Sequence, residues 1–187
     1  MIVAAIDSSL SNTGLARLEI VDHGPDTDGQ RKGVWTTMTV KSEPAKDTQY
    51  HPGQLKRMRL ISKQMGLFIA DADMVVMEAP AFSRGNGMAH ERAGLWWMLY
   101  AAAGAVMHGD PLVILPNLRA KYATGKGTAG KDEVMLAASR RYADAPIRNN
   151  NEADAVVLAA MGARLAGMEI DAVPQTHTVA LKTLLLA

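Results

Sequence analysis

The sequence contains no cysteine, which excludes disulfide bonds and metal sites built from thiolates. Its formal net charge is only +1, so any binding of nucleic acid must depend on local clusters of lysine and arginine. An apolar run at residues 94–107 falls short of the roughly 18 residues that a membrane helix needs. No basic segment precedes the first apolar run, and Asp7 interrupts it, so we expect no signal peptide, no membrane contact and a cytoplasmic location.

The remaining composition is that of an ordinary globular protein. Hydrophobic residues make up 48% and charged residues 21% of the 187-residue chain, which suits one core of ordinary size. We therefore expect a single domain over residues 1–187, with no internal repeat and no long linker.

Apolar runs and helical periodicity predict five strands and four helices. The strands are expected at residues 1–7, 13–21, 33–41, 74–78 and 112–115. The helices are expected at residues 54–70, 91–107, 131–142 and 152–166. Three strands joined by short connections form an antiparallel meander, and the later alternation of helix and strand adds parallel strands. The pattern predicts an α/β fold with a mixed five-stranded sheet and helices on both faces, while the tail from residue 167 stays unassigned.

Three acidic residues lie within or at the end of apolar runs. Asp7 ends the first predicted strand, Glu78 ends the fourth, and Asp154 lies in the otherwise apolar stretch 153–160. Carboxylates that are buried together repel one another and lose their hydration, so they need a cation nearby. Oxygen ligands of this kind suit Mg²⁺ or Mn²⁺, and two such ions can support in-line hydrolysis of a phosphodiester. The sequence therefore predicts a two-ion site at the carboxyl end of the sheet.

Each of these acids also has an ordinary structural explanation when it is taken alone. Asp7 could hydrogen-bond the backbone of the following turn, and Glu78 could face solvent at its strand end. Asp154 could complement the dipole of a helix near its N-terminus. The apolar neighbours of Glu78 and Asp154 favour burial, and a buried acid without a partner would destabilise the fold.

A basic, glycine-rich segment at residues 121–131 could hold a phosphate backbone. It contains Lys121, Lys126 and Lys131, and it precedes a predicted helix whose first N–H groups could bind anions. The segment lacks the spacing of a P-loop, and a flexible solvated connection is its alternative interpretation.

A second basic loop follows Glu78. It contains Phe82, Arg84 and two glycines. A mobile basic loop beside a buried acid suits a substrate with a phosphate backbone.

Four segments together resemble the RuvC family of Holliday junction resolvases, members of the RNase H-like superfamily. Residues 1–14 resemble the family's first strand with its acid and turn, and residues 75–82 resemble its second acid with the aromatic residue that follows. Residues 116–134 are similar to the family's lysine-containing loop, and residues 152–160 to its C-terminal Asp-Ala-Leu/Val helix. The resemblance covers residues 1–166.

The resemblance implies an RNase H-like fold and a crossover junction endodeoxyribonuclease that forms a homodimer with two active sites. It implies catalysis by Asp7, Glu78 and Asp154 with two Mg²⁺ or Mn²⁺ ions, and DNA contacts from residues 121–131. The family's aromatic residue is expected at Ala81, one position before Phe82, and we expect DNA contacts from Phe82 and Arg84 on the basic character of their own loop. The divergence from the family pattern suggests a phage-type enzyme that works without a host branch-migration motor.

The fourth metal ligand is open between two residues. The family has an acid or a histidine three residues before the last aspartate, where this chain has Asn151. In a regular helix Asn151 shares the face of Asp154, and Glu152 does not. Two divalent ions nevertheless need more negative charge than three acids supply, and at a frayed helix end Glu152 could reach the metal. Glu152 is therefore the preferred prediction.

Two other functions are compatible with parts of the sequence. ATPases of the actin and hexokinase type begin with a similar strand, acid and turn, but the further nucleotide-binding motifs of such ATPases are missing from this sequence. A junction-binding protein without catalytic activity would share the basic segments, and only an activity assay separates it from a nuclease.

Overall fold

The computed structural model describes residues 1–22, 31–46, 50–80 and 88–182, and these residues form one five-stranded sheet packed between helices. The strands are β1 (Ile2–Asp7), β2 (Asn12–Asp22), β3 (Arg31–Lys41), β4 (Met74–Glu78) and β5 (Leu112–Ile114). The helices are α1 (Tyr50–Phe68), α2 (Ala89–Met107), α3 (Pro116–Thr124), α4 (Lys131–Arg141), α5 (Asn150–Leu165) and α6 (Gln175–Lys182).

The strand order β3-β2-β1-β4-β5 places β1 at the centre of the sheet. β2 is antiparallel to both β1 and β3, whereas β4 is parallel to both β1 and β5. The predicted meander followed by parallel strands is therefore confirmed. Because parallel strands end at the same edge of a sheet, the C-terminal residues of β1 and β4, Asp7 and Glu78, lie at neighbouring positions.

Both faces of the central strand are buried, and helices cover each of them. Successive side chains of a strand point to opposite faces, and the two hydrophobic clusters divide β1 in that way. Val3 and Ala5 pack in the cluster that includes α5, whereas Ala4 and Ile6 pack in the cluster that includes α1 and α2. This two-sided burial explains why the sequence of β1 is an apolar run rather than an alternating one.

Helix α5 lies unusually close to the sheet at Gly162. A Cβ atom added there would lie 2.6 Å from Val76 Cγ2 and 3.0 Å from Val3 Cγ1. Only a residue without a side chain allows this approach, so Gly162 sets the distance between α5 and the central strands.

Helix α2 is apolar but only partly covered. It buries Leu95, Trp96 and Leu99 against the sheet, while the side chain of Trp97 is 63% exposed. In the part of the chain that the structure describes, no helix is long and apolar enough to cross a membrane.

Two helices, α3 and α6, were not predicted from the sequence. The fifth strand was predicted to end at residue 115, and the next residue, Pro116, begins α3, where proline is well tolerated. Lys121 consequently lies in the last turn of a helix rather than in a loop. Helix α6 lies in the tail that the sequence left unassigned, where the Asp171 carboxylate accepts a 2.6 Å hydrogen bond from Tyr142 Oη and holds the tail against α4.

Candidate active site

Asp7, Glu78 and Asp154 converge at the carboxyl end of the central strands. Asp7 ends β1, Glu78 ends the adjacent parallel strand β4, and Asp154 lies in the first turns of α5. Gly14 pairs with Asp7 across β1 and β2, and a Cβ atom there would collide with the backbone carbonyl of Asn151. The missing side chain lets the N-terminal end of α5 approach β2 beside Asp7, which brings Asp154 to the strand acids.

The three carboxylates influence one another electrostatically. Burial and the negative charges of Glu78 and Asp154 raise the pKa of Asp7 well above its usual value. Burial also raises the pKa of Glu78, although the charge of Arg119 opposes the shift. The pKa of Asp154 is raised to about 6, mainly by burial and against the effect of Arg119. The site is therefore a desolvated acid cluster in which full ionisation is costly without added positive charge.

Arg119 connects two of the acids, and the sequence analysis did not identify it. Its side chain comes from α3 and is buried, with 7% of the residue exposed. Arg119 Nε lies 2.6 Å from Glu78 Oε2, and Arg119 Nη1 forms an ion pair with Asp154 Oδ1. Its position in the sequence could have indicated its role, because Arg119 follows the end of β5 by a few residues, at the edge of the sheet where β1 and β4 also end.

The acids fit a divalent cation by their chemistry but not by their present arrangement. Three carboxylates face one buried arginine, so the cluster keeps an excess of negative charge and offers the oxygen ligands that Mg²⁺ and Mn²⁺ prefer. The buried Glu78 Oε2 has no well-directed hydrogen bond despite its proximity to Arg119 Nε. Among the described residues, no group of three or more His, Asp or Glu side chains is already arranged to hold a metal ion. Binding would therefore require the carboxylates to turn away from Arg119.

Solved structures resemble this chain in fold. The structure of Thermus thermophilus RuvC superposes with a TM-score of 0.65 at 20% sequence identity, covering 90% of this chain and 98% of that one. T. thermophilus RuvC in complex with a Holliday junction substrate superposes with a TM-score of 0.64 at 18% identity, again covering 90% and 98%. The chain has the RuvC fold. No protein-family model matches the sequence, and neither does any curated protein.

Within this RuvC fold, Glu152 does not join the acid cluster. The residue is 1% exposed, and its carboxylate accepts hydrogen bonds of 2.8 Å from both Thr39 Oγ1 and the backbone N–H of Arg148. Glu152 therefore faces β3. It is the third residue after Asn149, whose side chain accepts a 3.1 Å hydrogen bond from Glu152 N. This is a capping arrangement, and the sequence Asn-x-x-Glu at residues 149–152 was the signal for it.

The alternative fourth ligand, Asn151, is also engaged elsewhere. Its side-chain amide donates a 2.7 Å hydrogen bond to the carbonyl oxygen of Asn12. The structure thus brings Asp7, Glu78 and Asp154 together and leaves both Asn151 and Glu152 in contacts that fix the start of α5.

The lysines of the predicted basic segment have three different environments. Lys121 is half-buried on α3, Lys126 is exposed and lies 3.4 Å from Glu133 Oε1, and Lys131 is exposed at the first position of α4. Lys131 lowers the pKa of Asp7, and to a smaller extent than Arg119 it lowers that of Glu78. Of the three, Lys131 is therefore the one with an evident electrostatic link to the acid cluster.

Phe82 and Arg84 lie outside the described residues. Their predicted contacts with DNA remain predictions.

Proposed function

We propose that this protein is a metal-dependent endonuclease that nicks Holliday junctions or other branched DNA by phosphodiester hydrolysis. The observation that carries the proposal is the cluster of Asp7, Glu78 and Asp154 at the carboxyl end of a RuvC fold. Three desolvated carboxylates have no evident structural purpose there, because burial raises the pKa of each and penalises the ionised form in the fold.

Asp7, Glu78 and Asp154 would hold two Mg²⁺ or Mn²⁺ ions. When bound, such ions make water a better nucleophile at neutral pH and stabilise the leaving oxygen. Asp7 ends the central strand, and the charges of both other acids act on it, so it is the residue best placed to be shared. Arg119 keeps Glu78 and Asp154 together through its two ion pairs. Lys131 adds positive charge beside the acids and would attract the phosphate of the strand to be cut.

The proposal includes a homodimer, because paired nicks on a two-fold junction require two sites related by two-fold symmetry. The exposed face of α2 supports it. Trp97 is 63% exposed there and forms edge contacts with Trp96 and Tyr100, whose centroids lie 4.9 Å and 5.8 Å from its own. Exposed aromatic residues of this kind are enriched in protein interfaces. Light scattering should give the mass of a dimer, and Trp97→Asp should give that of a monomer.

Incubation of the pure protein with Mg²⁺ and a labelled four-way junction tests the activity. We expect symmetric nicks that leave 5′-phosphate ends. Asp7→Asn should abolish nicking and leave junction binding largely intact, since it removes a metal ligand without changing the basic segments. Asp144→Asn, the same change at an exposed position, is the matched control and should nick normally.

Other outcomes would lead to other functions. Junction binding without nicking by the wild-type protein would identify a catalytically inactive binding protein. Hydrolysis of ATP without nicking would favour the actin and hexokinase type of ATPase. Normal nicking by Asp7→Asn would contradict the three-acid site.

A further inference from the structure

Helix α1 concentrates positive charge without any acid of its own. Its nineteen residues include Lys56, Arg57, Arg59 and Lys63, but no Asp or Glu. Lys56, Arg59 and Lys63 recur at spacings of three and four, so they lie on one side of the helix. Like charges at these spacings destabilise a helix. This face therefore attracts anions from outside α1.

Arg57 is buried beside this face without a carboxylate. It is 5% exposed, and its guanidinium donates to neutral oxygens: Ser42 Oγ at 2.8 Å, Ser11 Oγ at 3.2 Å and Gln54 Oε1 at 3.4 Å. In the described part of the chain, no Asp or Glu oxygen lies within 4.0 Å of it. The contrast is with Arg119, which is buried to a similar degree and contacts two acids. Burying a charge without a counter-ion is costly, so Arg57 is short of one negative partner.

Gln54, a neighbour of Arg57, is also incompletely satisfied. Gln54 is 5% exposed, and its Nε2 has no hydrogen-bond acceptor among the described residues. Its Oε1 is already used by Arg57. A buried amide donor without an acceptor is uncommon, so the polar groups around Arg57 are not fully satisfied in the described residues.

A cavity of about 800 Å³ opens at this place, between α1 and the segment that follows β3. The basic residues that line it are Lys46, Lys56, Arg57, Arg59 and Lys63. One acid, the exposed Glu43, also lines the cavity, but no ion pair between Glu43 and these cations is present in the described residues. The cavity therefore has the positive charge of an anion site, and Gln54, which does not line it, contacts Arg57, which does.

The cavity lies at the same edge of the sheet as the acid cluster. Arg57 contacts Ser11, and Ser42 Oγ donates to the carbonyl oxygen of Leu10, so both are fixed to the turn that directly follows Asp7. The acids and the cavity are on different sides of this turn, because α1 covers one face of the sheet and α5, with Asp154, covers the other.

We propose that this cavity, bounded by Lys56, Arg57, Arg59 and Lys63, is a phosphate-binding site for the backbone of a DNA arm that extends from the acid cluster across α1. The proposal rests on the proposed nuclease function for the identity of its ligand. The site requires only a phosphate group, which DNA or a free phosphate could supply, and the experiment distinguishes these sources.

The first test removes two cations from the rim and compares them with two cations elsewhere. Lys56→Ala/Arg59→Ala is paired with Lys32→Ala/Arg140→Ala, which removes the same charge from exposed positions outside the cavity. Junction affinity is measured as a function of salt concentration by fluorescence anisotropy. The rim variant should bind about tenfold more weakly at low salt, with a slope of log K against log salt reduced by about two units. The control should keep the slope of the wild type, and an unchanged slope in the rim variant would overturn the proposal.

The second test concerns the buried arginine. Arg57→Met keeps most of the side-chain volume and removes the charge. Because Arg57 lacks a counter-ion, the variant should unfold at least as late as the wild type without DNA and should gain less thermal stability from added junction. A variant that loses stability without DNA but keeps the full gain from junction would show that Arg57 is only structural.

The remaining experiments identify the source of the phosphate and distinguish this proposal from the proposed nuclease function. Inorganic phosphate and pyrophosphate are titrated in thermal-shift assays of the wild-type and rim variants. Stabilisation of the wild type alone, with junction affinity equal in both proteins, would overturn the assignment to DNA in favour of a free phosphate. If no protein nicks but the rim variant binds junction more weakly, the nuclease proposal fails and the phosphate site stands. If the wild type nicks and the rim variant binds and nicks normally, the phosphate site fails and the nuclease proposal stands.

The absence of cysteine allows a direct readout as well. Leu60→Cys places a unique thiol in the lining of the cavity, where a photo-crosslinker can be attached. Crosslinks to one defined arm of a labelled junction are expected, and crosslinking that does not exceed that of the equivalent Lys32→Cys protein would contradict a DNA arm at this place.

Discussion

Arg119 Nε lies 2.6 Å from Glu78 Oε2, although the two residues come from different elements and are 41 positions apart in the sequence. The same guanidinium contacts Asp154, so a single cation from α3 connects the strand acid with the helix acid. Without it, the carboxylates of Glu78 and Asp154 would face each other, and that of Asp7, with little compensation. The acid cluster is thus stable as a set of four side chains rather than three.

Arg119→Ala should destabilise the protein by about 3–5 kcal/mol when divalent ions are chelated, because it leaves buried carboxylates unpaired. The loss should shrink when millimolar Mg²⁺ is added, since the ion replaces the missing charge. Urea unfolding in EDTA and in Mg²⁺ measures both values. Arg17→Ala, which breaks an ion pair with the exposed Asp71, is the control and should change stability little in either condition. Equal losses for Arg119→Ala with and without Mg²⁺ would argue against metal binding at these acids.

Asp154 should make the stability of the metal-free protein depend on pH. Its pKa is about 6 in the fold, against 3.8 for an ordinary aspartate, mainly because burial penalises the charged form. The folded state therefore binds more protons than the unfolded state between these values, and stability falls as the pH rises through this window. The contribution is complete below about pH 4 and is lost above about pH 6, amounting to about 3 kcal/mol at most.

Urea unfolding at pH 4.5 and pH 7 in EDTA measures this dependence. Asp154→Asn should show a smaller decrease in stability over that range than the wild type. Added Mg²⁺ should stabilise the wild type more at pH 7 than at pH 4.5, because the ligands must be deprotonated. An equal decrease in the two proteins would show that Asp154 does not titrate in this window.

Lys131 and Lys126 should differ in their effects on DNA. Lys131→Ala should weaken junction binding, reduce the salt slope by about one unit and also slow nicking, because Lys131 acts on the acids. Lys126→Ala should reduce the slope less, because Lys126 already lies 3.4 Å from Glu133. Anisotropy titrations over a range of salt concentrations and nicking rates at saturating DNA measure the two effects. Identical behaviour of both variants would indicate that the loop binds DNA only through its total charge.

Glu152→Gln should affect stability and not the requirement for metal. The carboxylate accepts hydrogen bonds from Thr39 and from the backbone of Arg148, and an amide can replace only part of this set. We expect a loss of about 1–3 kcal/mol in urea unfolding with an unchanged Mg²⁺ midpoint for nicking. Asn151→Ala is compared in the same titration. A raised Mg²⁺ midpoint for Glu152→Gln alone would restore Glu152 as a metal ligand.

The two strands that carry Asp7 and Glu78 were predictable from the sequence because a strand buried on both faces consists of consecutive apolar residues. β1 and β4 are short apolar runs, and an acid at the end of each marks the carboxyl end of the sheet. The role of Glu152 was less accessible, because a glutamate near a helix start serves either a metal or the backbone, and only the position of β3 decides between them. The role of Arg119 was not predicted, because α3 has little apolar periodicity. The two partners of Arg119, Asp154 and Glu78, lie 35 and 41 positions away in the sequence.

The start of α1 was also predicted incorrectly from the sequence. The sequence predicted its beginning at Gln54, whereas the helix begins at Tyr50 and accommodates Pro52 in its first turn. Proline there was compatible with either a turn or a helix start.

Gly162 has no side chain and takes no part in chemistry, yet it controls the dimensions of the acid cluster. Asp154 lies eight residues earlier on the same rigid helix, about 12 Å along its axis, so any tilt introduced at Gly162 is transmitted to it. Even one methyl group at residue 162 would press on Val76 and Val3, which belong to the strands that carry Glu78 and Asp7. Displacement of α5 from the sheet would then move Asp154 away from Asp7 and Glu78. The spacing of the carboxylates is in this sense a mechanical property of the interface between α5 and the sheet, set at a position far from any reacting atom.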